Sequence, residues 1–219
     1  MMTISALLFD LDGTLVDTAN DFVQVLNEQL ISHGRNQLPA DTIRNTVSDG
    51  ARALVKIGFG GEPGTEPFES LRQELLERYE SLVGKHAKLF DGMEEVLTLC
   101  EDKDIPWGII TNKPRLYTDL LLQRMDLDKR SRVTLCPDDV RKSKPDPESL
   151  LLAAKQLGLA PGNIVYAGDH ERDIQAGQAA EMITVSALYG YIKCHKSAKK
   201  WPADYQIQHP SELISLFLT

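Results

Sequence analysis

The distribution of apolar and polar positions divides the chain into two regimes. Residues 4–9 form an apolar run that predicts a buried strand, and it stops at Asp10-Leu11-Asp12-Gly13-Thr14, where the chain must turn. Asp17-Thr18-Ala19-Asn20-Asp21 then reads as a helix start, with Phe22, Val25, Leu26 and Leu30 at helical spacing up to His33-Gly34. Pro39-Ala40-Asp41 begins a second helix carrying Ile43, Val47, Leu54 and Ile57, broken at Ser48-Asp49-Gly50. A Gly/Pro-rich patch over residues 58–67 separates it from a third helix at 68–82, with Leu71, Leu75, Leu76 and Tyr79. Nothing between residues 17 and 88 alternates as a strand does, so this stretch is expected to be a helical insert on two linkers, the return one being Lys88-Leu89-Phe90-Asp91-Gly92.

After the insert, helix and strand alternate. Helical spacing over 93–103, 114–125, 148–157 and 174–180 brackets apolar runs at 105–111, 132–136, 163–167 and 182–187. A strand at 205–208 and a helix after Pro210 complete the pattern. Strands alternating with helices predict an α/β fold with a Rossmann-like parallel sheet, built from residues 1–16 and 89–219, and an inserted all-helical unit over 17–88. Ligands of such sheets gather at the carboxyl ends of the strands.

Composition narrows the partners. The chain has 219 residues and a net charge of -8, which argues against nucleic acid or an anionic membrane surface as a partner. Cys100, Cys136 and Cys194 are widely spaced, with neither zinc spacing nor an even disulfide framework, as expected of idle thiols in a reducing cytosol. No basic-plus-apolar leader precedes the first strand and no run of ~20 apolar residues occurs, so a cytoplasmic protein is expected.

The candidate chemistry sits at the predicted strand ends. If Leu11 continues an extended backbone, Asp10 and Asp12 point to the same side, a turn glycine and a hydroxyl beside them. Two close carboxylates suit phosphate chemistry, one attacking phosphorus while the other carries the leaving group's proton. A calcium loop is disfavoured, because Thr14, Val16 and Phe22 stand where its further ligands belong. Later strand ends supply Thr111 and Asn112, then Lys144, then Asp169 with Asp173 four residues on. Taken singly, Thr111 reads as a helix cap before Pro114, Lys144 as a surface lysine and Asp173 as a cap for the next helix.

Asp10-Leu11-Asp12-Gly13-Thr14, Thr111-Asn112-Lys113, Lys144-Pro145-Asp146-Pro147 and Gly168-Asp169 to Asp173, in this order, resemble the haloacid dehalogenase superfamily, in its branch of phosphatases with a helical cap. The chain is similar to the phosphoglycolate phosphatases. Ser48-Asp49-Gly50-Ala51-Arg52, Leu89-Phe90-Asp91-Gly92-Met93, Cys136-Pro137-Asp138 and Tyr189-Gly190-Tyr191-Ile192 bring it closer to the N-acetylmuramic acid 6-phosphate phosphatases. The resemblance implies that 17–88 is an inserted all-helical cap domain. It further implies Asp10 as nucleophile forming an aspartyl-phosphate, Asp12 as general acid and base, Thr111 and Asn112 as phosphate contacts, and Lys144 as the charge-balancing lysine. Mg2+ would be held by Asp10, Asp169 and the main-chain carbonyl of Asp12, with Asp173 near it or reached through water.

His170 and Glu181 depart from the family pattern; the first is expected to be an exposed histidine and the second a local backbone variation. The implied substrate is a small phosphorylated metabolite of carbohydrate metabolism, with 2-phosphoglycolate and N-acetylmuramic acid 6-phosphate as candidates. Arg52 is the residue expected to meet a carboxylate on either, against the plainer reading of a surface arginine. A sugar phosphomutase and a non-catalytic binding protein are the alternatives, and a monomer and a homodimer are both compatible with the sequence. The basic run Lys193, Lys196, Lys199 and Lys200 is expected to be a solvated loop.

Overall fold

The computed structural model describes residues 4–218, so the first three residues and the last of the expected core lie outside the described residues. The chain opens with β1 (Ala6–Phe9) and β2 (Val16–Asp17), followed by α1 (Ala19–Ser32), α2 (Ala40–Arg44), a 3-10 turn at Val47–Asp49, α3 (Ala51–Phe59) and α4 (Glu66–Leu82). Next come β3 (Lys88–Leu89), α5 (Met93–Asp102), β4 (Trp107–Ile110), α6 (Arg115–Arg124), β5 (Val133–Leu135) and α7 (Glu148–Leu157). The remainder is β6 (Ile164–Gly168), α8 (Glu171–Ala179), β7 (Ile183–Ala187), α9 (His195–Ala198), β8 (Tyr205–Ile207) and a π-helical stretch at Ile214–Leu218 in place of the helix expected after Pro210.

The main sheet has strand order β5-β4-β1-β6-β7-β8, and every pair is parallel. Because side chains alternate along a strand, Leu7 and Phe9 enter one apolar layer while Ala6 and Leu8 enter the other. Both faces are covered, which is why these strands read as continuous apolar runs. From β1 the chain moves outward to β4 and β5, then returns to β6 on the other side of β1. That reversal opens a crevice at the carboxyl end of β1, where Asp10 follows.

α1 to α4 lie between the two strands of a separate ribbon, in which Val16 pairs with Leu89 and Asp17 with Lys88, antiparallel. The linkers on either side of the insert are therefore hydrogen-bonded to each other. Two-residue strands are too short to show alternation, so this pairing leaves no local signal in the sequence. Tyr191, from the loop after β7, ties the same place down: its hydroxyl accepts from the Thr18 and Ala19 amides at 2.7 and 2.9 Å and donates to Asp17 at 2.9 Å. Within the insert the buried Asp21 carboxylate accepts from the Gly84 and His86 amides at 2.7 and 2.8 Å, fixing the turn between α4 and β3.

The apolar layer on the Phe9 face continues into the insert through Phe22, Leu26, Leu54, Phe68 and Leu75. The expected solvated loop over the basic run is instead partly ordered: α9 buries Ala198 and Lys193 pairs with Asp49 of the insert. A short stretch with an ion-pair partner so distant in sequence leaves no local signal. Among the described residues no helix is long and apolar enough to cross a membrane.

Candidate active site

Asp10 leaves the end of β1 and is buried beside Lys144, whose ammonium donates to Asp10 Oδ1 at 2.7 Å. The same ammonium donates to the Ile110 carbonyl and the Tyr166 hydroxyl, each at 2.8 Å, and stands 2.7 Å from Asp173 Oδ1. Its side chain is 1% exposed. A buried cation with this many acceptors is fixed in place and charged: burial disfavours the ammonium, but Asp10 and Asp173 raise it above the ordinary lysine range. Burial likewise pushes the Asp10 carboxyl up to about 6 against the pull of Lys144, with Asp173 adding repulsion.

Asp169 follows β6. Its Oδ2 accepts from the Tyr191 amide at 2.8 Å and the Ser48 hydroxyl at 3.2 Å, while Oδ1 is buried with no hydrogen-bond partner. Burial, reinforced by Asp10 and Asp173, drives the Asp169 carboxyl well above the usual carboxylate range. Gly13, at φ 90°, and Gly190 pack so closely on this carboxylate that a Cβ at either would run into it. Oxygens of Asp10, Asp169 and Asp173 lie within 4.8 Å of one another. Three close carboxylates, one with an orphaned buried oxygen, fit a hard divalent cation, which would relieve both the repulsion and the missing partner.

The Asp12 carboxylate stands outside that cluster, although it lines the same cavity as Asp10. It accepts from Thr18 Oγ1 at 2.5 Å and from Lys113 Nζ at 3.0 and 3.2 Å. Leu11 lies in a turn rather than an extended strand, so the period of two no longer holds. Lys113 is the residue the sequence named without assigning work. It is buried, donates to the Tyr79 hydroxyl at 2.8 Å, and sits over the Tyr79 and Phe22 rings at 4.7 and 5.2 Å. Tyr79 and Phe22, which stack at 4.1 Å, belong to α4 and α1, so the insert helps to hold Asp12.

Asp173 caps a helix, as one reading of the sequence had it, and also stands among the acids. It lies in the acidic cluster, and it also caps α8 by accepting the His170 amide at 3.1 Å, while Tyr166 donates to its other oxygen at 3.1 Å. The buried Thr111 hydroxyl accepts from the Lys113 amide at 3.0 Å and keeps its own proton to donate, and Asn112 donates to the Lys144 carbonyl at 2.9 Å with its own Oδ1 unpartnered. His170 is half-buried rather than exposed: its Nδ1 accepts from the Arg172 amide at 3.2 Å, and its Nε2 stands 3.7 Å from Asp49. Glu181 has φ 58°, a left-handed turn that glycine would hold without strain, which explains the departure noted there.

Most of these groups, though not Asp169, line one side of a cavity of about 440 Å³. Asp10, Asp12, Thr111, Asn112, Lys113 and Lys144 come from the sheet. The insert supplies Phe22, Ser48, Arg52, Arg72, Leu76 and Tyr79. Arg52 therefore reaches the cavity, but its side chain is 65% exposed.

Residues 7–187 match the model of the haloacid dehalogenase-like hydrolase family. The chain is 42% identical over 212 residues to an N-acetylmuramic acid 6-phosphate phosphatase of Pseudomonas putida, covering 97% of this chain and 95% of that protein. It is 39% identical over 208 residues to a phosphoglycolate phosphatase of Xanthomonas campestris pv. campestris, covering 95% and 94%. A haloacid dehalogenase family hydrolase from Deinococcus radiodurans, solved with bound phosphate and sodium, superposes with a TM-score of 0.78 at 23% identity over 99% of this chain and 96% of that one, a likeness of fold. The chain belongs to the haloacid dehalogenase-like hydrolases and is a phosphatase of that family.

Proposed function

We propose that this phosphatase works through a phosphorylated Asp10, with Mg2+ at the Asp10, Asp169 and Asp173 cluster, on a sugar phosphate bearing an acid, of the N-acetylmuramic acid 6-phosphate kind. The observation that carries it is Asp10, buried and tethered to Lys144, lining a cavity large enough for a sugar. An Asp10 oxygen bonds to phosphorus as the ester P–O bond breaks. Lys144 offsets the negative charge of nucleophile and phosphoryl group, so that the attack is not between bare anions. The Asp12–Lys113 pair gives the leaving alkoxide its proton. Asp12 then takes a proton from water as that water attacks the aspartyl-phosphate, which restores the pair and the Asp10 carboxylate and releases phosphate. When bound, the cation supplies further neutralisation of phosphoryl oxygens. Thr111 holds the Lys113 segment, and Asn112 the Lys144 segment.

Substrate choice follows from the cavity. Small-molecule sites hold ~300 to 1,000 Å³, and about 440 Å³ falls in the range for a sugar phosphate, while a two-carbon acid phosphate would leave much of it to water. The names of the relatives at 42% and 41% identity point the same way. The insert acts as a cap that carries the wall against the sugar and shields the phosphoryl group. Unpaired cysteines, two of them buried, suit a cytoplasmic setting.

The test compares Mg2+-dependent phosphate release from N-acetylmuramic acid 6-phosphate and 2-phosphoglycolate as kcat/KM, with Asp10→Asn as blank. We expect the sugar to be preferred by about a hundredfold or more, no release by Asp10→Asn, and loss of turnover in chelator restored by Mg2+. The reverse preference makes the protein a phosphoglycolate phosphatase. Turnover that survives in Asp10→Asn removes the proposed nucleophile.

A further inference from the structure

The wall opposite the sheet carries charges that the phosphoryl chemistry leaves unused. Arg52 on α3 and Arg72 on α4 line the cavity; Glu69, three residues before Arg72, does not. Arg72 Nε donates to Glu69 Oε2 at 2.6 Å, and Arg52 Nε stands 3.6 Å from Oε1 of the same carboxylate. One carboxylate thus anchors two guanidinium groups by their Nε edges. Their terminal nitrogens make no hydrogen bond among the described residues and are left for the cavity. Guanidinium groups held in this way are preorganised for an anion, because the rotamer freedom lost on binding is already reduced.

The charge count selects the anion. Two guanidinium groups and one carboxylate leave a single positive charge, which matches one carboxylate and not a second phosphate dianion. Arg72 is half-buried, so its charge is screened less than that of the exposed Arg52. On α4 the cavity-lining residues Arg72, Leu76 and Tyr79 recur at helical spacing, so an apolar side chain lies one turn from the guanidinium. Tyr117 of α6 lines the same cavity. A carboxylate with a methyl group on the adjacent carbon would meet both characters at once.

Resting on the substrate reading above, we propose that Arg72, assisted by Arg52 and held by Glu69, is the specificity-determining residue for a lactyl-type acid on the leaving sugar, the carboxylate going to the guanidinium groups and its neighbouring methyl to Leu76. Arg72 then sets which ester is accepted and takes no part in the bond changes at phosphorus.

Two sugar phosphates separate this from general binding, N-acetylmuramic acid 6-phosphate and N-acetylglucosamine 6-phosphate, which differ only in the lactyl ether. We expect the wild type to prefer the acid-bearing sugar, and Arg72→Met to collapse that kcat/KM ratio about tenfold or more, mainly through KM, with Arg52→Met producing a smaller collapse. A ratio unchanged in both variants overturns the proposal, and Arg52→Met, at an exposed position, keeps the test available should Arg72→Met fold poorly. The second measurement is inhibition of aryl phosphate turnover by free N-acetylmuramic acid against N-acetylglucosamine. Selective inhibition by the acid that disappears in Arg72→Met supports the subsite even where neither sugar phosphate is turned over and the substrate reading has failed. Equal inhibition of wild type and Arg72→Met by the acid overturns it.

Discussion

The two walls of the cavity hold charge in opposite ways. On the sheet side, Lys144 is 1% exposed and shared by Asp10, Asp173, Tyr166 and a main-chain carbonyl. On the insert side, Arg72 and Arg52 are 30% and 65% exposed and rest on a single carboxylate. The saturated cation cannot move without leaving a buried carboxylate unbalanced, which suits a group that must meet the same phosphoryl charge with every substrate. The guanidinium groups, steadied through one shared carboxylate with their terminal nitrogens turned to the cavity, face the part of the substrate that differs from one ester to the next. On the proposed reading chemistry falls to the sheet wall and selectivity to the insert wall, so substitutions on the first should act on kcat and those on the second on KM.

The sharpest way to break that division is at Lys144. In Lys144→Met the Asp10 and Asp173 carboxylates face each other without their cation. We expect kcat to fall about 10²- to 10³-fold. Removing one partner of a buried ion pair costs about 3–5 kcal/mol, which should appear as a lower midpoint in urea unfolding. A variant that loses activity only through KM would place Lys144 with the selective wall instead.

Lys113 tests the boundary, since its partners come from both walls. Lys113→Met removes the cation from Asp12, and kcat should fall by about tenfold to a hundredfold with an altered pH–rate profile. Tyr79→Phe deletes one hydroxyl that accepts from Lys113 at 2.8 Å, and a loss of about threefold is expected from a hydrogen bond of ~0.5–1.5 kcal/mol. An unchanged pH profile in Lys113→Met would show that the lysine serves packing rather than the proton on Asp12.

What the sequence revealed follows the same division. Asp10 and Asp169 lie just past strand ends, where an apolar run stops abruptly and local pattern fixes direction, and Lys144 stands in the loop between β5 and α7; the parallel topology then brings them together. Asp12 was legible as a candidate, but its orientation was not, because a turn at Leu11 breaks the alternation. Tyr79 reads as one more apolar position on α4, and only the packing of α4 onto Lys113, 34 residues away, gives its hydroxyl a use. Tyr166 and Tyr191 hide in the same manner, the first inside a strand and the second in a loop 173 residues from the Thr18 amide it accepts from. Arg72 carries no signal of its own in the sequence, and its place beside Arg52 comes only from α4 packing against α3. Positions set by a strand end are written locally; positions set by contact between distant helices are not.

The smallest effect belongs to the seam where the walls touch. Arg172 donates to the Ser48 carbonyl, and Asp49 is approached by Lys193 and by His170. Partial burial pushes the Asp49 carboxyl up, but the nearby His170 ring and the hydrogen bond from Lys193 outweigh it and hold the carboxyl down from 3.8 to about 2. A carboxyl with a depressed folded value stabilises the fold above its ordinary value and loses that contribution as pH falls from 3.8 toward 2. Lys193 is 58% exposed, so screening keeps the pair below about 1 kcal/mol. Lys193→Ala should therefore lower the thermal midpoint slightly at pH 7, and the gap from wild type should close as pH falls toward 2. A gap that persists at pH 2 would assign the effect to lost side-chain packing, and the seam would then owe its closure to Ser48 and Arg172 rather than to charge.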